Sequence, residues 1–209
     1  MQSIPLLLVD AGTGNLHSVY HTLQQLNSEV TISNNPDDLI HADRVVLPGV
    51  GAFAHFMDGL RQRALDQAIL EFIKSGKPML GICVGMQALF ESSDEMGYCA
   101  GLGLLKGTVK RFSKTPGFKI PHTGWNQLWY DPNLPMLKHI IPGEYAYFNH
   151  SYFCTTHEPG LQTVETDYCI RFTSAVCREN LFAVQFHPEK SQKVGLSILN
   201  NFLTWDGNS

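Results

Sequence analysis

The chain has 209 residues, 44% of them hydrophobic, enough for one α/β domain with a sizeable core. A net charge of −4 leaves no basic surface for nucleic acid or an anionic membrane, and no apolar run approaches the roughly 18 residues of a membrane span. Five cysteines (Cys83, Cys99, Cys154, Cys169, Cys177), an odd number with no CxxC pair, suggest neither a disulfide framework nor a zinc site, and reduced thiols in the cytoplasm are the expectation. SIPLLLVD (3–10) lacks the basic flank of a signal peptide and reads as a first strand. LHSVYHTLQQLN (16–27) has helical spacing, with Leu16, Val19, Tyr20, Leu23 and Leu26 on one face. EVTIS (29–33) and RVVLPG (44–49) read as strands, and RALDQAILEFIKSG (63–76) as a helix closed by glycine. KPMLGIC (77–83) is a buried strand, and VGMQALFES (84–92) is predicted to be a helix.

Apolar strands alternating with helices indicate a doubly wound, mostly parallel sheet covered on both faces. Beyond about residue 104 the texture changes. LLKGTVKRF (104–112), HTGWNQLWY (122–130), EYAYFNHSYFC (144–154), LQTVETDY (161–168), IRFTSAVCREN (170–180) and LFAVQFH (181–187) read as strands joined by short turns. They are expected to add antiparallel strands to the same sheet, and QKVGLSILNNFLTW (192–205) to close the fold as an amphipathic helix. No linker or repeat divides the chain, so residues 1–209 are expected to form one domain.

In such sheets ligands bind at the carboxyl ends of strands. AGTGN, PGVGAF and CVG all fall there. A dinucleotide reading of AGTGN fails, because His17 stands where the third glycine is needed. Gly81-Ile82-Cys83-Val84-Gly85 has the form of a nucleophile elbow with cysteine in place of serine. A strand turning abruptly into a helix strains the central residue, and glycines two before and two after it avoid clashes. The thiol is then exposed at a helix start, which favours thiolate, with the Val84 N–H near a forming oxyanion. The competing reading is a packed core cysteine, one of the most buried residue types. A cysteine nucleophile needs a base, and the base needs an orienting group. Most of the nine histidines (among them His17, His21, His41, His139 and His157) sit in surface-like contexts. His187 ends an apolar strand, and Glu189 follows two residues later. In extended backbone, positions i and i+2 point the same way, and Pro188 biases His187 toward extension. A surface histidine and glutamate in a loop is the alternative.

Cys83 in GICVGMQ, with His187-Pro188-Glu189, resembles the class I, triad-type glutamine amidotransferases. DAGTGN (10–15), LPGVGAF (47–53), PHTGWN (121–126), YFNHSY (147–152) and HPEKS (187–191) are similar to the glutaminase subunits that serve histidine biosynthesis. The resemblance implies hydrolysis of glutamine to glutamate and ammonia, with Cys83 as nucleophile, His187 as proton shuttle and Glu189 orienting it, and with no cofactor and no metal. It implies an oxyanion site from Val84 and the 48–51 strand, and substrate contacts from Gly49, Val50, Gly51, Val84 and Gln87. It also implies a (β/α)8-barrel cyclase partner in a heterodimer, with Asn15 and Lys190 toward the interface. The partner would make imidazole glycerol phosphate and an aminoimidazole carboxamide ribotide. Similar subunits feed ammonia to other synthases, including sugar-aminating ones. A cysteine hydrolase on a similar fold would need none of the middle segments.

Overall fold

A computed structural model describes residues 4–13, 16–26 and 28–207; Ser3 and Asn27, at the ends of two predicted elements, lie outside the described residues. The first half runs β1 (Ile4–Val9), α1 (Leu16–Gln25), β2 (Ser28–Ser33), α2 (Pro36–His41), β3 (Val45–Gly49), α3 (Phe53–Gln62), α4 (Leu65–Lys74) and β4 (Met79–Cys83). Every residue of β3 and β4 is buried, as continuous apolar runs between two helical layers require. Two helices were not anticipated. Asn35 caps α2, its side chain accepting from the Asp37 N–H at 3.1 Å. In α3, Phe53, Phe56, Met57 and Leu60 form a buried stripe at helical spacing.

The predicted helix 84–92 is corrected. Only α5 (Val84–Gln87) is helical, and Phe90–Ser93 is a strand, β5. The chain turns away because its backbone finds partners across the sheet rather than one turn ahead. The N–H groups of Leu102 and Leu105 bond the carbonyls of Ala88 and Leu89, and β5 pairs with β6 (Cys99–Ala100) and β7 (Leu105–Arg111).

The remaining strands are β8 (His122–Gln127), β9 (Tyr145–His150), β10 (Tyr152–Thr155), β11 (Gln162–Tyr168), β12 (Ile170–Arg178) and β13 (Leu181–Val184), and α6 (Gln192–Thr204) follows them. The main sheet has the order β2-β1-β3-β4-β13-β12-β10-β7-β5-β6, with β11 added beside β12. Pairing is parallel from β2 through β13 and antiparallel from β13 to β7, so the mostly parallel sheet with antiparallel additions is present. EYAYFNHSYFC is two strands, not one, and β8 and β9 form a separate two-stranded ribbon. The chain breaks at Ser151, which lets β9 leave the sheet that β10 joins. The connection between β8 and β9 is also long (residues 128–144) rather than a short turn. No described helix is long and apolar enough to cross a membrane.

The core joins both halves around β4 and β13, with Phe53, Phe56, Phe72, Phe182, Phe186 and Phe202 fully buried. Helix α6 lies against the turn after β13. A Cβ at Gly195 would overlap the Pro188 carbonyl oxygen. We expect Gly195→Ala to destabilise the fold by about 1–3 kcal/mol through this overpacking, read as a lower urea midpoint. Wild-type stability in that variant would show that α6 does not set the position of Pro188.

Candidate active site

Cys83 is the last residue of β4, and its backbone has φ 56° and ψ −111°. This strain is the elbow that the pentapeptide predicts, and it is held by close packing of glycines. A Cβ at Gly85 would overlap the Leu47 carbonyl oxygen. One at Gly49 would lie 2.7 Å from the Phe56 ring and 2.8 Å from the Gly85 nitrogen. Gly49 pairs with Cys83 across the β3–β4 ladder, so the end of β3 is pressed against the elbow. The helix that follows Cys83 is a single turn. Its dipole is correspondingly small, and the polar side chains that face the sulfur come from other parts of the chain.

The first of these is His187. It sits just past β13, which runs parallel to β4 with Val184 opposite Ile82. His187 hydrogen-bonds Cys83, and its Nδ1 lies 2.8 Å from Glu189 Oε1. All three members of the expected triad therefore meet. His187 is extended, as Pro188 dictates (φ −102°, ψ 96°), but Glu189 is in a 3₁₀ turn spanning Pro188–Lys190. The extended i/i+2 geometry is thus corrected, because the turn swings the carboxylate back under the ring. Burial disfavours the imidazolium, yet the Cys83 and Glu189 bonds and charges outweigh it and raise the His187 pKa to about 10. Glu189 Oε2 is buried without a partner, so the imidazole is the carboxylate's main counterpart.

The β8–β9 ribbon fixes this histidine. The His187 N–H donates to the Tyr147 carbonyl at 2.9 Å, and the Tyr147 N–H to Ser191 Oγ at 2.9 Å. Ser191 Oγ in turn donates to the His187 carbonyl at 2.6 Å.

A cavity of about 440 Å³ lies over Cys83, lined by Val50, Gly51, Val84, Gln87, His187 and Lys190 among others. Val50, Gly51, Val84 and Gln87 thus line the same cavity as Cys83, with Gly51 at φ 92°. Gly49 lies beneath, as part of the elbow's support rather than of the wall. Lys190 is exposed, with Nζ 5.9 Å from the centre of the Tyr147 ring. Asn15 lies outside the described residues.

Sequence reasoning missed Glu95, Arg111, Ser151 and Tyr152, which line the wall together with Pro121, Asn149 and His150. Glu95 stands in an acidic stretch with no pattern of its own, and it is placed by accepting the Phe53 N–H at 2.7 Å. It also missed a buried polar chain. Gln87 Nε2 donates to the Tyr152 carbonyl at 3.2 Å and to Gln185 Oε1 at 3.0 Å, while Gln185 Nε2 lies 3.6 Å from Cys83 Sγ. On the other side of the same carbonyl, His150 Nδ1 is 2.7 Å away, His150 Nε2 is 3.0 Å from His122 Nδ1, and His122 Nε2 is 3.3 Å from Asn126. A carbonyl only accepts, so the protons are assigned throughout: both histidines carry hydrogen on Nδ1 and are neutral.

A strained cysteine facing an imidazole that a buried carboxylate orients is the arrangement of thiol-dependent acyl transfer. Residues 7–205 match the family described as glutamine amidotransferase class-I. The chain is 48% identical over 200 residues to imidazole glycerol phosphate synthase subunit HisH of Acaryochloris marina, covering 95% of this chain and 93% of that protein. It is 45% identical over 205 residues to the subunit of the same name in Thermosynechococcus vestitus, covering 97% and 98%. In fold it is similar to the structure of PurLQS from Thermotoga maritima (TM-score 0.72, 20% identity, 97% of this chain and 98% of that one). The chain belongs to the class-I glutamine amidotransferases and, within them, to the HisH subunits of imidazole glycerol phosphate synthase.

The histidine pair makes stability pH-dependent. Burial pushes His122 down to about 4. Burial, with lesser contributions from His122 and His187, pushes His150 down to about 3 against the bond to Tyr152. The unfolded chain protonates both near 6.5. Stability from this pair is therefore full above about 6.5 and declines as pH falls toward those values. His187, held cationic, works in the opposite sense, and comparing variants cancels it. The urea midpoint of His122→Phe is expected to fall less between pH 7.5 and pH 5 than that of wild type. An equal fall in both proteins would mean that His122 is not buried in its neutral form.

Proposed function

We propose that Cys83, His187 and Glu189 form the triad with which residues 1–209, acting as one glutaminase domain in the cytoplasm, supply ammonia for imidazole glycerol phosphate synthesis. The observation that carries this is the convergence of the elbow cysteine and His187 on one cavity wall, with the buried Glu189 carboxylate bonded to the imidazole from behind. Family membership favours the histidine pathway over a sugar-aminating synthase or an unrelated cysteine hydrolase.

The Cys83 thiolate attacks the side-chain amide carbon of glutamine. A C–S bond forms and the carbonyl π pair moves onto oxygen. The N–H of Val84 and a peptide N–H of residues 48–51 receive that oxyanion. Collapse re-forms the carbonyl and breaks the C–N bond, with the His187 imidazolium protonating the leaving nitrogen to release ammonia. Neutral His187 then takes a proton from water as the water oxygen attacks the γ-glutamyl thioester. The C–S bond breaks, the thiolate and imidazolium are restored, and the glutamic acid side chain leaves and ionises. Glu189 holds the imidazole in the tautomer that faces sulfur and balances its charge. Gln87 and the backbone at Val50 and Gly51 border the bound amide. Glu95, at the same wall, offers an anion to the substrate's ammonium group.

Ammonia passes to a partner that the resemblance implies is a (β/α)8-barrel cyclase. Asn15 and Lys190 are proposed to face it. No cofactor enters this chemistry.

In the synthase complex, Cys83→Ala is expected to abolish turnover with glutamine but to retain cyclisation with ammonium salt at high pH. A hydrolase or adaptor would show no such rescue. Loss of both activities in a folded complex, or turnover with glutamine in this variant, would refute the role of Cys83. Glu189→Gln is expected to lower kcat by about 10²–10⁴-fold and to move the alkaline limb of the pH profile down, since the imidazolium loses its counter-charge. A wild-type rate and profile would return Glu189 to a structural role.

A further inference from the structure

Gln185 is fully buried on the strand extension between Val184 and His187. Its backbone N–H donates to the Ser174 carbonyl at 2.8 Å, which ties this residue to β12 where the chain bends away from β13. The parallel register, Val184 opposite Ile82, sets the next residue, Gln185, beside Cys83. The short segment after β13 thus brings two polar side chains to one sulfur.

The orientation of the Gln185 amide is dictated by its neighbours. The Tyr152 carbonyl accepts only, so Gln87 must turn its nitrogen toward it. That same nitrogen lies 3.0 Å from the Gln185 amide, so Gln185 must present oxygen to Gln87. Its nitrogen is then left facing Cys83 Sγ at 3.6 Å. A buried amide is costly unless both ends are bonded, and among the described residues the side-chain partner of this nitrogen is the sulfur.

We propose that Gln185 is a further catalytic residue of this site: its amide N–H donates to the Cys83 sulfur, stabilising the thiolate before attack and again when the thioester is cleaved. This rests on Cys83 being the nucleophile. A thiol gains little from such a donor, whereas a thiolate accepts a charge-assisted hydrogen bond in a site with little water. The single-turn α5 gives the sulfur little help from a helix dipole, and His187 must surrender its proton during turnover. Gln185 is a donor that does not change protonation state through the cycle. Gln87, by bonding Gln185 Oε1, holds the amide in this orientation.

The test uses the full chain and iodoacetamide. Alkylation of Cys83 is followed against pH in wild type, Gln185→Glu and Gln185→Met, with each labelled thiol located by mass spectrometry. Methionine keeps the length, loses the N–H and adds no charge, so its midpoint decides; glutamate keeps the acceptor for Gln87 but sets a carboxylate beside the sulfur, so it serves only as a control for added charge. The other titratable groups facing the sulfur, His187 and Cys154 on β10, are unaltered in both variants. In Gln185→Met the pH midpoint of Cys83 alkylation is expected to rise by about one to two units, with a loss in kcat for glutamine of about 10–100-fold and little change in KM. A residue needed only for packing would leave the midpoint in place. Should Gln185→Met fail to fold, the wild-type protein labelled with ¹⁵N-glutamine still decides. The Gln185 side-chain resonance should titrate with the alkylation midpoint and be static in Cys83→Ser. An unmoved midpoint in folded Gln185→Met, or a Gln185 resonance that does not respond to Cys83 ionisation, overturns the assignment of Gln185 alone. Labelling of another cysteine in wild type overturns the nucleophile reading and this proposal with it.

Discussion

The site depends on one strained peptide turn. Cys83 takes a conformation (φ 56°, ψ −111°) that a side-chain-bearing residue keeps only when its surroundings over-determine it. The surroundings are β3 and β13, which clamp β4 on either edge through parallel ladders. Gly49, Gly81 and Gly85 let the backbones approach closely. The sheet thereby stores strain at the point where a reactive side chain must stand clear of the backbone. The interior packing that over-determines the turn is the same packing that stabilises the domain.

Once the sulfur is fixed, the remaining chemistry is arranged around it by β13 and its extension. Gln185 and His187 come from the bend that follows β13, and Glu189 returns under the imidazole through a 3₁₀ turn. The β8–β9 ribbon is not an ornament of the sheet. Its Tyr147 backbone bonds His187 and Ser191 at once, so a segment remote in sequence determines where the base sits. The neutral histidine pair extends from the same ribbon to the Tyr152 carbonyl. That carbonyl joins it to the Gln87–Gln185 chain.

Much of this was legible in residue order. The continuous apolar runs of β1, β3 and β4 disclosed a parallel sheet, because a strand buried on both faces has no need of polar alternation. The glycines flanking Cys83 disclosed the elbow, because steric exclusion is a local property. Pro188 disclosed the extended His187, again locally. The elements that were misread share a different cause. Phe90–Ser93 has the composition of a helix end, yet it is a strand because β6 and β7 offer it partners. Tyr145–Thr155 reads as one strand, yet it divides at Ser151 because its halves pair with different sheets.

The sequence by itself determined the fold class, the strained turn at Cys83 and the pairing of His187 with Glu189, since each follows from backbone sterics or from side-chain chemistry carried in a short motif. Only the tertiary structure decided which buried polar groups meet. Gln185, Gln87, His122, His150 and Glu95 have no distinguishing local pattern. Their roles arise from hydrogen bonds across 28 to 102 residues of chain, such as His122 to His150 and Gln185 to Cys83, and the strand order that closes those gaps is a property of the assembled sheet.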